Sequence, residues 1–154
     1  MPVIRAAAIA TLLVAITVCV AGMFSPWLMS GSVVRNSYQV IGALQRFRII
    51  DNGLAMAALG GWPYLGPALM VPMLLVAFRC WRTAAAAAVV LGLLGISAAV
   101  TALVVVGGTS HFGIQLASIG PETVGCGSAL LIVAGALLPM PDRLDVRVSW
   151  HRAG

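Results

Sequence analysis

The sequence predicts an all-α fold, an integral membrane four-helix bundle with an amphipathic helix on its outer face between the first and second spans. Hydrophobic residues make up 61% of the 154 residues, charged residues make up 8%, and the mean hydropathy is +1.05. Soluble domains average about 45–50% apolar and 25% charged residues. Four hydrophobic runs are each long enough to cross a bilayer, which takes about 20 residues per helix. We therefore expect a single transmembrane domain over residues 1–154.

The first run covers residues 4–24 and has one charged residue, Arg5, at its start. A secretory signal peptide is an alternative, because a basic residue precedes the run and small residues lie near its end. The run is longer than the roughly 7–15 residues of the hydrophobic segment in a signal peptide. We therefore predict a membrane span.

The second run covers about residues 56–78 and contains Pro63, Pro67 and Pro72. A proline inside a helix removes one backbone hydrogen bond and clashes with the preceding turn. Pro63 fits the first turn of a helix, but Pro67 and Pro72 cannot both do so. The sequence therefore predicts a helix that is kinked at Pro67 and Pro72.

The third run, residues 83–106, is uninterrupted and rich in alanine, and the fourth covers residues 121–138. Pro121 suits the first position of a helix, and Glu122 would lie where the helix dipole favours an anion. Small residues recur four apart in both runs, at Ala84, Ala88, Gly92, Gly125 and Ala129. This spacing lets helices approach closely in lipid, either within the bundle or against a partner protein.

The outer loop, residues 25–55, is too long for a simple turn and too polar for a span. Apolar side chains recur there at helical spacing, at Val34, Tyr38, Ile41 and Leu44. This pattern predicts an amphipathic helix at the membrane surface, with Ser30 and Ser32 as candidate caps before it. The helix either packs over the bundle and anchors to lipid headgroups or docks a partner. The candidate docking residues are Trp27, Arg35, Tyr38, Arg46 and Arg48.

Arginine placement predicts the orientation. If both termini are cytoplasmic, the inside carries Arg5, Arg79, Arg82, Arg143, Arg147 and Arg152, and the outside carries Arg35, Arg46 and Arg48. The positive-inside rule favours this arrangement, with residues 139–154 as a cytoplasmic tail. We expect a multi-pass protein of the bacterial inner (plasma) membrane. Because the arginines lie beside hydrophobic runs, we expect contacts with membrane lipids and no nucleic-acid partner.

Groups that could carry out chemistry are scarce. The acidic residues are Asp51, Glu122, Asp142 and Asp145, and none lies in the middle of a run. Ion pathways usually need ionisable groups within the membrane, so a pump or an ion-coupled transporter is disfavoured. His111 has no second metal ligand at a recognised spacing, and Cys19, Cys80 and Cys126 form no metal or redox motif. We predict no enzyme activity, no cofactor and no metal site.

Several residues in and near the outer loop resemble a known sequence pattern. Trp27, Ser30-Gly31, the run Arg35-Asn36-Ser37-Tyr38 and Arg46 resemble a pattern in small four-helix membrane proteins of actinobacteria, including mycobacteria. The resemblance implies an accessory subunit of a cell-envelope machine, for example an Mce-type lipid-uptake complex. The span layout is also similar to that of claudin-like proteins, although the outer loop has no cysteine pair.

Two hypotheses follow for function. The first is a non-catalytic accessory or regulatory subunit of a larger cell-envelope membrane complex, for example one for lipid transport, that binds through the outer helix and the third span. The alternative is a small carrier of lipids or other hydrophobic molecules, whose kinked second span opens a cavity with Trp62, Tyr64 and Met70 along its wall. The first is favoured because packing and anchoring features greatly outnumber reactive groups.

Overall fold

A computed structural model of the protein describes residues 3–47, 53–107 and 114–139. These residues form six helices and three strands: α1 Val3–Phe24, β1 Pro26–Ser30, β2 Val33–Asn36, α2 Ser37–Phe47, α3 Gly53–Ala68, α4 Val71–Ala77, α5 Trp81–Gly107, β3 Ile114–Leu116 and α6 Ile119–Leu137. Four helical segments are long and apolar enough to cross a membrane, namely Val3–Phe24, Gly60–Ala77, Trp81–Val104 and Ile119–Leu137. A mostly helical protein with four candidate membrane spans is therefore confirmed.

Helix α6 is the centre of the bundle, because its contacts with α1 and α5 are the most extensive between any two elements. Glycines make this close approach possible. A Cβ atom at Gly127 would lie 2.7 Å from the backbone nitrogen of Cys19 in α1. A Cβ atom at Gly135 would lie 2.9 Å from the carbonyl oxygen of Ala85 in α5. In lipid, where burial of apolar surface drives helix association little, such close backbone packing holds helices together.

The second span is interrupted between Pro67 and Pro72, the two prolines at which the sequence predicts a kink. Helix α3 ends at Ala68 and α4 begins at Val71, with a turn at Leu69 and Met70. Pro67 lies in the last turn of α3, and Pro72 is the second residue of α4. Because Pro72 has no N–H group, the helical bond to Ala68 cannot form, and a helix start is where that loss costs least.

The third and fourth spans agree with the sequence to within two residues at each end. Helix α5 begins at Trp81, two residues before the predicted start. Helix α6 begins at Ile119, so Pro121 is its third residue instead of its first. Proline is still tolerated there because the first four N–H groups of a helix have no partner within it. Glu122 lies in the first turn as predicted.

A three-stranded antiparallel sheet, in the order β2-β1-β3, corrects the prediction of an all-α fold. Strands β1 and β2 form a hairpin in which Ser30 pairs with Val33, and Gly31 turns the chain with φ of 60°. Strand β3, from the connection between α5 and α6, pairs with the other edge of β1. The hydrogen bond from Ala117 N to Trp27 O, 3.0 Å long, extends this pairing. The sheet therefore joins two connections that are far apart in sequence.

The amphipathic helix exists, but it begins later than the sequence predicts. Helix α2 begins at Ser37, so Val34 lies on β2 and not on the helix. Its cap is Asn36, whose Oδ1 accepts from Gln39 N at 3.0 Å, while Gln39 Oε1 accepts from Asn36 N at 3.2 Å. This reciprocal pair is a capping box, and it replaces the predicted serine caps, which lie before and within the hairpin turn.

The bundle has two different ends. The sheet end carries β1, β2, β3 and α2. The opposite end carries the start of α1 and the turn between α4 and α5, and we call it the hairpin end after the helical hairpin that α4 and α5 form. There the Arg5 guanidinium lies 5.3 Å from the ring centre of Trp81. The predicted tail beyond residue 139 lies outside the described residues.

A candidate docking groove at the sheet end

Two tryptophans form the base of the sheet end. Trp27 on β1 and Trp62 on α3 are 6% and 7% exposed, and their rings meet edge to face with centroids 5.5 Å apart. Trp27 Nε1 donates a hydrogen bond of 2.9 Å to the carbonyl oxygen of Gly22 in α1. Trp27, a predicted docking residue, is therefore buried inside the protein, where it holds the sheet on the bundle.

Ser37 connects three helices through its hydroxyl group. Its Oγ donates to the carbonyl oxygen of Met23 at 2.7 Å and accepts from Trp62 Nε1 at 3.2 Å. The residue is 0% exposed. Because a buried polar group without a partner is costly, these two bonds fix the start of α2 against α1 and α3.

Tyr38, another predicted docking residue, also packs against residues of its own chain. Its ring lies 5.3 Å from the ring of Phe24, and its hydroxyl group donates to Met23 Sδ at 3.6 Å. A Cβ atom at Gly66 would lie 3.2 Å from the same hydroxyl group, so the glycine leaves room for the tyrosine. Trp27, Ser37 and Tyr38 together make the sheet end a rigid platform.

An open groove of about 660 Å³ lies on this platform between β2 and α2. The lining residues are Val33, Val34 and Arg35 from β2 and Gln39, Gly42, Ala43 and Arg46 from α2. The groove therefore brings together two of the predicted docking residues, Arg35 and Arg46, from two different elements. Both arginines are exposed, and no carboxylate is among the lining residues. Arg48 lies outside the described residues.

The sequence does not reveal the groove, because the spacing of Val34 and Tyr38 predicts a helix where the structure has β2. On one continuous helix, Arg35 and Arg46 would be eleven residues apart and separated by about 16 Å along the axis. The end of β2 at Asn36 folds the chain back, so that both arginines line one groove. The signal that could have located it is the Asn36 to Gln39 capping box, which marks where the helix begins.

The small residues of α5 mostly face α6. Ala84 and Ala88 are fully buried, and Ala88 Cβ would lie 3.4 Å from a Cβ atom at Gly135. A Cβ atom at Gly92 would lie 2.8 Å from the carbonyl oxygen of Ser128. In α6, Gly125 lies near Ala99 of α5, whereas Ala129 is exposed. The alanine and glycine face of α5 is thus occupied within the chain.

One polar pair lies inside the bundle. Cys19 Sγ of α1 lies 3.7 Å from Ser128 Oγ of α6, and both residues are buried. The thiol also donates weakly to the carbonyl oxygen of Val124 at 4.0 Å. These contacts pair polar atoms where the two helices pack most closely, and they give the pair a role in helix association.

The side chains proposed to line a carrier cavity do not share a wall. Trp62 is buried against Trp27, whereas Tyr64 is 74% exposed and Met70 is 47% exposed. Pro67 and Pro72 flank the turn between α3 and α4. The break in the second span therefore does not bring these residues around one cavity.

Within residues 3–47, 53–107 and 114–139, no group of three or more His, Cys, Asp or Glu side chains could hold a metal ion. His111 and Asp51 lie outside these ranges. Comparison with protein-family models, with curated proteins and with solved structures finds no match to this chain.

Proposed function

We propose that this protein is a non-catalytic accessory or regulatory subunit of a larger cell-envelope membrane complex, which it binds through the groove at the sheet end. The observation that carries this proposal is the pair of exposed arginines, Arg35 and Arg46, that lines one groove from two elements. A complex for lipid transport, such as an Mce-type system, is the partner class that the sequence resemblance suggests.

The construction of the sheet end supports binding rather than chemistry. The polar side chains of Trp27, Ser37 and Trp62 are engaged in hydrogen bonds that fix the fold. The arginines are left on the surface of this fixed platform. A preorganised surface loses less conformational entropy on association, so a partner gains affinity from it.

We also propose that the sheet end lies outside the cell, with both termini in the cytoplasm of a bacterium. Arg5, Arg79 and Arg82 belong to the opposite, hairpin end of the bundle, and the excess of arginine in the tail favours the same side. Ser32, exposed in the β1–β2 turn, and native Cys80, exposed at the hairpin end, suit a labelling test.

The topology test compares Ser32→Cys with Cys80 in intact cells, using a membrane-impermeant maleimide and a background in which Cys126 is replaced by serine. We expect immediate labelling at position 32, and labelling at Cys80 only after the membrane is permeabilised. The opposite order would reverse the orientation. Labelling of both sites in intact cells would contradict the predicted span number.

The function test purifies the tagged chain in a mild detergent and quantifies its co-purifying membrane proteins. Arg35→Lys keeps the charge but removes the planar guanidinium group that binds carboxylates with two hydrogen bonds. We expect this variant to lose a defined set of partners, and Arg82→Lys, at the hairpin end, to retain them. Retention of all partners by Arg35→Lys and by the double variant Arg35→Gln/Arg46→Gln would contradict the proposal.

A further inference from the structure

We propose that the groove binds an extended acidic segment of a partner protein, which adds as a strand to the free edge of β2. This inference rests on the proposed function, and it names the chemistry and the conformation of the partner. It follows from three features of the groove, namely its strand wall, its helix wall and its charge.

The strand wall is an edge and not a face. Neighbouring residues of a strand point to opposite faces of a sheet. A groove that is lined by consecutive residues Val33, Val34 and Arg35 must therefore run along the edge of β2. Among the described strands β2 pairs only with β1, so its second edge offers unpaired backbone groups. The N–H group of Asn36 points away from β1 and is occupied by Gln39. Because the backbone groups of alternate residues face opposite edges of an antiparallel strand, Val34 supplies the N–H and C=O groups that residues 33–35 leave on the free edge.

The helix wall is one face of α2 with small residues at its middle. Gln39, Gly42, Ala43 and Arg46 follow the spacing of three, one and three residues that places side chains on one side of a helix. Gly42 has nothing within 4 Å of where its Cβ atom would be. This wall extends about 10 Å along the helix axis, which matches three residues of extended chain. The space beside β2 thus suits a backbone in the strand conformation.

The positive charge of the groove favours acidic side chains in the bound segment. Arg35 and Arg46 contribute two guanidinium groups, and the lining contains no acidic residue. The same lining contains the apolar side chains of Val33 and Val34, which are 51% and 50% exposed. A strand that alternates acidic and β-branched side chains complements both features, because alternate side chains meet different surroundings. Strand addition supplies affinity through main-chain hydrogen bonds, and the arginines supply specificity.

The test measures binding of fluorescent peptides to the purified full-length chain in detergent micelles by fluorescence anisotropy. The probes are blocked hexapeptides with the sequence (Glu-Val)3, their (Lys-Val)3 and (Gln-Val)3 counterparts, and two forms of (Glu-Val)3 with N-methyl groups on the odd or the even residues. N-methylation removes the hydrogen-bond donors from one edge of a strand. We expect (Glu-Val)3 to bind, (Lys-Val)3 not to bind, and only one of the two methylated forms to retain binding.

Variants locate the binding in the groove. Arg35→Gln and Arg46→Gln should each weaken binding of (Glu-Val)3 at least about tenfold, the loss expected for one charged hydrogen bond. Arg82→Gln removes the same charge at the hairpin end and should leave binding unchanged. Equal binding of both methylated forms, or equal loss with Arg82→Gln, overturns strand addition in the groove.

A membrane occupant predicts another result. If the arginines hold lipid headgroups, Arg35→Gln and Arg46→Gln will reduce retention of phosphatidylglycerol in purified samples, and no hexapeptide will bind; this overturns the inference. The two proposals also fail separately. Arginine-dependent recovery of partners without peptide binding overturns strand addition alone, whereas groove-dependent peptide binding supports it even where no partner complex depends on these arginines.

Discussion

The contact between α1 and α6 is tested most directly by Gly127→Ala. The added Cβ atom would lie 2.7 Å from both the backbone nitrogen and the Sγ atom of Cys19, and 3.1 Å from the carbonyl oxygen of Ala15. Two of these three atoms belong to the backbone. They cannot rotate away as a side chain can, so the two helices must move apart.

The expected loss of stability combines two opposite effects. Overpacking of a close contact costs about 1–3 kcal/mol. Alanine is a better helix former than glycine by up to about 1 kcal/mol, which offsets part of this cost. We therefore expect a net loss of about 1–2 kcal/mol. Gly61→Ala in α3 is the matched control, because nothing lies within 4 Å of the added atom there and the gain in helix propensity remains.

The assay is thermal unfolding of both purified variants in the same detergent. Gly127→Ala should lower the melting temperature by about 2–8 °C, and Gly61→Ala should leave it unchanged or raise it. The additional change Cys19→Ala should not restore Gly127→Ala, because the backbone atoms remain in place. A Gly127→Ala variant as stable as the unmodified protein, or full rescue by Cys19→Ala, would refute the argument from backbone contact.

Three further predictions concern side chains. Gly95→Ala places its Cβ atom against the Ser128 hydroxyl group, so Ser128→Ala should recover part of the lost stability in a double-mutant cycle measured by thermal unfolding. Ser37→Ala leaves two buried groups without a partner and should cost about 1–3 kcal/mol by the same measurement, more than Trp62→Phe, which removes one bond and keeps an aromatic ring. Asn36→Ala should cost about 0.5–2 kcal/mol and accelerate hydrogen exchange in the first turn of α2, whereas unchanged exchange would exclude the cap.

The four candidate spans could be predicted from the sequence because each comes from an apolar run of about the length that a membrane-crossing helix needs. The apolar pattern alone does not predict where a span is interrupted. The positions of Pro67 and Pro72 predict where the second span is interrupted. They do not predict whether the interruption is a kink within one helix or a short turn between two helices. Helix α3 contacts α2 and helix α4 contacts α5, and such contacts between separate elements do not follow from local spacing.

The sheet could be predicted only in part. Gly31-Ser32 between two apolar runs is a signal for a two-residue hairpin, and φ of 60° at Gly31 agrees with it. The spacing of Val34 and Tyr38 instead predicts one helix across Asn36, where β2 ends and α2 begins. The pairing of β1 with β3 is a contact between distant segments of three to five residues, so no local pattern predicts it. The sequence does not reveal the groove, because the helical spacing extends across Asn36, although it predicts Arg35 and Arg46 individually as docking residues.

The strand order also has a consequence for biosynthesis. The middle strand, β1, is made well before its second neighbour, β3, and the central helix, α6. Until β3 and α6 have been made, a nascent chain therefore lacks the strand that pairs with the second edge of β1 and the helix that contacts both α1 and α5. A chain truncated before Ile114 would therefore expose the second edge of β1 and the faces of α1 and α5 that contact α6. Such a product should be a preferred substrate for membrane proteases that monitor assembly.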